Sequence, residues 1–221
     1  MDKHHQLVEL ARKRKRTRWD GYGCIGDYHG GIYECDFVSP YTKSAHNVDS
    51  DIMVILQDWS SDSAIGGPLD QDAMKYGYTP SLPTNKNLIR FLNAHFGVGL
   101  KDVYATNLFP FIKPGDLSHA IPRGDLVRAA LEFALPQVKI VCPNLVVCLG
   151  GATFNAVRRA CSYKDWLKMD SAIESPFMVD RSRIWCQAHT GRLGQNNRNR
   201  GGVDRVSSDW KKMKDAIFTC G

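Results

Sequence analysis

Four short apolar runs punctuate the chain, and each ends in turn chemistry. Asp51-Ile52-Met53-Val54-Ile55-Leu56 is β-branched and leads into Gln57-Asp58-Trp59. Val103-Tyr104-Ala105-Thr106 leads into Asn107, and Leu145-Val146-Val147-Cys148-Leu149 into Gly150-Gly151. Arg183-Ile184-Trp185-Cys186-Gln187-Ala188 leads into His189-Thr190-Gly191. Runs this short, rich in Val and Ile and bounded by Gly, Asn and Asp, predict strands. Between them the apolar spacing turns helical. Thr84 or Asn85 is placed to cap a helix that shows Leu88, Phe91, Leu92 and His95 on one face and stops at Gly97. Asp125 is placed to cap a second, carrying Leu126, Ala129, Ala130, Phe133 and Ala134, with Pro136 kinking or ending it. Residues 152–160 read as a third helix, and Ser208-Asp209-Trp210-Lys211-Lys212-Met213 begins a last one. A basic helix covers 5–16, followed by an irregular Gly- and Tyr-rich stretch at 21–33.

Strands alternating with helices imply an α/β fold: three αβα layers around a central, mostly parallel four-stranded sheet. No internal repeat or low-complexity linker divides the sequence, so 1–221 reads as one domain with a basic N-terminal segment, 1–20. In open α/β sheets, ligands bind outside the carboxyl ends of the strands. All four strands end in polar or Gly-rich turns, so Gln57-Asp58 and His189 are expected to meet along one edge.

A hydrophobic fraction of 43% is enough for a buried core. No apolar run approaches the ~18 residues that span a bilayer, and the opening Met-Asp-Lys-His-His lacks the apolar stretch expected of a secretory signal. The expected place is therefore the cytoplasm, or wherever DNA is, with no membrane contact. The seven cysteines are odd in number, scattered, and form no C-x-x-C, so they are expected to be mostly reduced and buried. No metal or cofactor is expected. A site built from Cys24 and Cys35 with distant partners is the alternative. The net charge of +6 is concentrated in Arg12-Lys13-Arg14-Lys15-Arg16 with Arg18, and in Arg192, Arg198, Arg200 and Arg205. Clustered cations suit a polyanion, because phosphates release counterions when Lys or Arg replaces them. For the first block, a merely solvated helix face is the plain alternative. The second adjoins His189.

A carboxylate, a histidine and an amide in one cleft fit cleavage of a glycosidic bond. Ser-His-Asp hydrolysis is disfavoured, because no G-x-S-x-G elbow occurs. Gly150-Gly151 lacks a Walker lysine or a full G-x-G-x-x-G and reads as a tight turn. In glycosidic cleavage an Asp positions water and stabilises the sugar cation. A neutral His stabilises the departing base, and an Asn amide reads a base edge with donor and acceptor side by side. A base inside a duplex must be flipped out, which calls for an aromatic stacker and an apolar wedge.

Here the sequence resembles the uracil-DNA glycosylase superfamily, from about Asp51 to Trp210. Leu56-Gln57-Asp58-Trp59 is similar to the family's Gly-Gln-Asp-Pro motif, which implies water activation by Asp58 and a base-carbonyl contact from Gln57. Pro80-Ser81-Leu82 and Lys86-Asn87-Leu88 resemble the Pro-Ser-Leu-Lys-Asn-Ile segment, implying that Ser81 and Asn87 hold DNA backbone. Tyr78 falls just before it, where the family places its base stacker. Tyr76, Phe109, Phe111 or Trp59 are the alternatives, with Trp59 also on the base-binding wall. Tyr104-Ala105-Thr106-Asn107 resembles the strand ending in the uracil-reading Asn, and Pro143-Asn144-Leu145-Val146-Val147-Cys148-Leu149-Gly150 a common structural strand. His189-Thr190-Gly191-Arg192-Leu193 is similar to His-Pro-Ser-Pro-Leu. That match implies leaving-group stabilisation by His189 and a wedge at Leu193, with Arg192 and Arg198 gripping phosphate.

There are departures. Leu56 stands for Gly, Trp59 for Pro, and Thr190-Gly191 for Pro-Ser. Ser60 occupies the place where one branch uses Tyr to exclude thymine, which weakens the case for strict rejection of larger bases. The cysteine pattern of the iron–sulfur branches is absent. The resemblance implies a monofunctional, monomeric DNA glycosylase acting on uracil or a related damaged base in single- or double-stranded DNA. A non-catalytic DNA-binding member of the fold and a nucleoside or nucleotide hydrolase are the alternatives. Each site residue has a plainer structural reading too: Asp58 as a strand-end cap, His189 as a core histidine, Asn107 as a turn residue, Leu193 as exposed only if 194–202 forms a loop.

Overall fold

In the computed structural model, which describes residues 2–218, the four apolar runs become parallel strands. They are β1 (Ile52–Asp58), β2 (Tyr104–Phe109), β3 (Leu145–Leu149) and β5 (Ser182–Gln187). A fifth, β4 (Phe177–Val179), pairs antiparallel with β5, giving the order β2-β1-β3-β5-β4. The four-strand expectation missed β4 because three residues after Pro176 carry no readable period. The chain turns from β4 into β5 through Asp180, in the left-handed region at φ 52°. The chain leaves β1 towards β2 on one side and later adds β3 on the other. The carboxyl ends of β1 and β3 therefore flank the crevice where such sheets bind ligands.

Alternation along the strands sorts the core into two layers. Met53, Ile55, Val146, Cys148, Ile184 and Cys186 face one side. There they meet α1 (Lys3–Arg16), α5 (Arg123–Ala129), α6 (Leu135–Val141), α7 (Gly151–Ala160) and α8 (Met169–Ile173). Val54, Leu56, Val147, Leu149 and Trp185 face α4 (Pro83–Phe96) and α10 (Arg205–Phe218). In that layer Phe91 stacks on Trp210 at 5.2 Å. Short helices α2 (Asp62–Ile65) and α3 (Gln71–Tyr76) lie between β1 and α4, and α9 (Arg192–Arg198) follows the His189 turn. The outer margin of β2 is covered: the Ala105 N–H donates to Ala45 O at 2.8 Å and the Asn47 N–H to Val103 O at 3.3 Å.

Several boundaries moved for identifiable reasons. Helix α4 starts at Pro83, capped by extended Leu82, so Thr84 and Asn85 lie inside its first turn. Proline is preorganised for that first position and outranks both polar candidates. Asp125 sits inside α5 and accepts from the Tyr22 hydroxyl at 2.6 Å. Pro136 neither ends nor breaks its helix; a π turn at Ala130–Ala134 lets α5 run on into α6 around the missing N–H. The last helix begins at Arg205, ahead of Ser208. Of the six described cysteines, all free, Cys24, Cys148 and Cys186 are buried, whereas Cys35, Cys142 and Cys161 are half-buried. Cys220 lies outside the described residues. Among the described residues, no helix is long and apolar enough to cross a membrane.

Candidate active site

The end of β1 carries a buried ion pair. Asp58 Oδ2 lies 2.9 Å from Lys113 Nζ, with side chains 13% and 3% exposed. Lys113 also donates to Leu117 O at 2.7 Å, and Gln57 Nε2 donates to Asp58 Oδ1 at 3.1 Å. The loop leaving β1 pairs with the loop leaving β2: Ser61 bridges Lys113, and the Asp62 N–H donates to Lys113 O at 2.8 Å. Two strand exits thus brace one carboxylate. Lys113 gave no signal in the sequence beyond a cation closing the apolar run Phe109-Pro110-Phe111-Ile112.

His189 follows β5 at the same edge of the sheet, where Asp58 and Lys113 both act on its charge. Burial, chiefly, pulls its pKa below the ordinary 6.5; Asp58 pulls it up and Lys113 down. It is therefore neutral at pH 7. Its Nδ1 accepts the Gly191 N–H at 3.0 Å, which puts the ring proton on Nε2 as a donor. The turn is tied to α4: Thr190 Oγ1 donates to Thr84 O at 2.8 Å, and Asn87 Nδ2 to Thr190 O at 2.8 Å. Asn87, expected on DNA backbone, spends a donor on this turn. Gln195 Nε2 donates to His189 O at 3.0 Å. Packing is tight enough to require glycine twice. A Cβ on Gly191 would lie 2.9 Å from both His189 Nδ1 and Thr84 Oγ1, and one on Gly194 would lie 2.3 Å from His189 O. Gly150, at φ 95°, brings the end of β3 against the same histidine.

Asn107 sits opposite Leu56 in the β1–β2 register and is 1% exposed. Its Oδ1 accepts the Ser39 hydroxyl at 2.5 Å, while its buried Nδ2 has no partner. Tyr78 is half-buried, with its ring 5.2 Å from Tyr41 and tilted by 31°. Burial, then Tyr76 and Asp72, push its pKa up. A Cβ on Gly77 (φ 80°) would come 1.8 Å from Pro40 O, so the Tyr78 loop presses on the segment that carries Ser39 and Tyr41. Trp59 braces that loop. Its indole N–H donates to Gly77 O at 2.8 Å, and its ring packs edge-on to Tyr33 in a small cluster with Ile65 and Ala73. Phe109 and Phe111 are core residues beside Trp19, so neither is open to a ligand.

The outward residues divide. Leu193 is 74% exposed, and Arg192 and Ser81 are exposed beside the turn and ahead of α4. Residues 192–198 form α9 rather than a loop, and Leu193 is exposed on that helix. Arg198 departs from the expectation of phosphate contact. Its guanidinium is bidentate to Asp209, at 2.6 and 3.0 Å, and also pairs with Asp170, so it is committed internally. Two surface clefts, about 410 and 340 Å³, lie elsewhere, one around Arg123 and Trp166 and the other around His95 and Lys211. Among the described residues, no three His, Cys, Asp or Glu side chains gather as metal ligands.

Fold and site together define an α/β protein with a carboxylate, a neutral histidine and an oriented amide at the carboxyl edge of a mostly parallel sheet. No family model matches the chain, and a comparison with curated proteins returns no significant match.

Proposed function

We propose that the protein is a DNA glycosylase that hydrolyses the N-glycosidic bond of uracil or a related damaged base, acting as a monomer where DNA is. The observation that carries this reading is His189, neutral and with Nε2–H as its donor, at the strand edge where the Asp58 carboxylate acts on its charge. Breaking the bond builds positive charge on the sugar and negative charge on the base. Asp58 opposes the first and positions water through lone pairs left by Gln57 and Lys113. His189 N–H supports the second without having to lose a proton. Asn107 reads the base, Tyr78 stacks on it, Leu193 fills the vacated step, and Arg192 meets phosphate.

Uracil-containing single- and double-stranded oligonucleotides, within a wider lesion panel, test this. Asp58→Asn and His189→Ala should each lower base release by about 10²- to 10⁴-fold. Release from no lesion, or unchanged rates in both variants, overturns the assignment. Activity should also fall on the acid side, with an inflection below 6.5. Protonation there sets an Nδ1–H against the Gly191 N–H and turns the ring out of place.

A hydrolase of free nucleosides is the second reading. It is favoured by the internal pairing of Arg198 and of much of the N-terminal basic block. Turnover of nucleosides but not DNA would select it, and the exposed Leu193 would then have no task.

A further inference from the structure

We infer that Ser39 sets which bases the site accepts, by locking the Asn107 amide with its NH₂ towards the ligand. Resting on the base-release reading for the ligand's identity, this selects bases that present a ring carbonyl at that position. A directional relay holds the amide. The Tyr41 N–H donates to Ser39 Oγ at 3.2 Å, and the Ser39 hydroxyl donates to Asn107 Oδ1 at 2.5 Å. Ser39 is buried at the start of the 3-10 turn Pro40–Ser44, and Thr42 Oγ1 ties that turn to Ala105 O at 2.7 Å. Among the described residues the Ser39 hydroxyl donates to one acceptor, Asn107 Oδ1, so the oxygen end of the amide faces the hydroxyl and the nitrogen end is turned the other way.

That nitrogen is buried and without a partner, although almost every buried polar group in a folded protein is satisfied. It lies on the sheet face shared by Leu56 and the Asp58 end of β1. An unmet, oriented donor beside a site calls for an acceptor on the ligand. Uracil and hypoxanthine offer a carbonyl oxygen where cytosine and adenine carry an amine. An amine there would put donor against donor, leaving both groups unsatisfied. Because the carbonyl is the feature read, carbonyl-bearing pyrimidines and purines fall in one class.

Titration of the intact protein with free uracil, cytosine, hypoxanthine and adenine tests this, followed by NMR at the Asn107 side-chain amide. Uracil and hypoxanthine should shift that NH₂ signal and bind at least roughly tenfold more tightly than their amino counterparts. Ser39→Ala should bring each ratio to within a few fold, and Ser39→Thr, which keeps the hydroxyl, should preserve it. Equal binding of uracil and cytosine by the wild-type protein, or binding of none of the four bases, overturns the inference. So does an unchanged ratio in a folded Ser39→Ala. Free-base binding needs no bond cleavage. A preserved ratio without base release would therefore sink only the proposed reaction, and base release without the ratio would sink only the role of Ser39.

Discussion

Residues 12–18 and residues 192–205 are comparable cation-rich stretches in the sequence, but the fold treats them differently. In α1, Arg14 is fully buried and forks onto Glu34, with further bonds to Cys35 O and Phe37 O. Burial alone would raise the pKa of Glu34; Arg14 outweighs it and holds that carboxyl below its ordinary value. Arg12 pairs with Glu9, Lys15 with Asp36 and Arg18 with Asp27. After His189, Arg198 is similarly committed, but Arg192, Arg200 and Arg205 are exposed and make no ion pair among the described residues. Charge counted along a chain therefore says little about charge offered to a partner. What decides is whether acids from a later segment fold back onto it. The N-terminal block largely docks a helix, whereas Arg192 follows the His189 turn exposed and with no ion pair among the described residues.

The sharpest way to break this division is to remove one cation of each buried pair. Lys113→Met and Arg14→Met should each cost about 3–5 kcal/mol in urea unfolding, since either leaves a carboxylate uncompensated. Only Lys113→Met should also impair base release per folded molecule and move the acid inflection upward, because Lys113 is one of the influences holding His189 down. If Arg14→Met proved equally damaging to folded-state activity, the two groups of cations would not be separate in role.

Gly194→Ala comes next. Its Cβ must displace the His189 backbone, and a shift approaching 1 Å should lower kcat about 10²-fold with a smaller change in KM. Unaltered kcat would detach α9 from the chemistry. A smaller effect is expected from Arg192→Ala with Arg200→Ala. DNA affinity should weaken across all sequences, and the slope of log K against log salt should drop by about one per residue. Smallest of all, Arg12→Ala with Lys15→Ala should leave that slope alone and change stability by less than about 1 kcal/mol. A steep loss of DNA binding in this last pair would restore the N-terminal block as a contact surface.

The parallel strands were legible because Val- and Ile-rich runs stop abruptly at Asp58, Gly150 and His189, stops that also marked the candidate edge; Asn107, read as the end of the second strand, lies inside β2, which runs on to Phe109 level with Asp58. β4 was not, since Phe177-Met178-Val179 is too short to show a period. Pro83 concealed the start of α4 by making a polar cap unnecessary. Lys113 and Ser39 escaped for a different reason. Each reaches its partner through irregular segments packed across strand ends, at Ser61–Lys113 and at Pro40–Gly77, and neither pattern nor propensity encodes such a meeting. Arg198 was misassigned because Asp170 and Asp209 come to it from two other helices.

The covered margin of β2 bears on the protein's life in a crowded solution. A bare strand edge is a template onto which any extended chain can zip, and its usual product is an aggregate. On one side, Ala45 already accepts the Ala105 N–H of β2, and Asn47 donates to Val103 O just ahead of it. On the other, the sheet ends in a three-residue strand. Neither margin presents a long open ladder, so a newly made neighbour still searching for its own strands finds little here to extend.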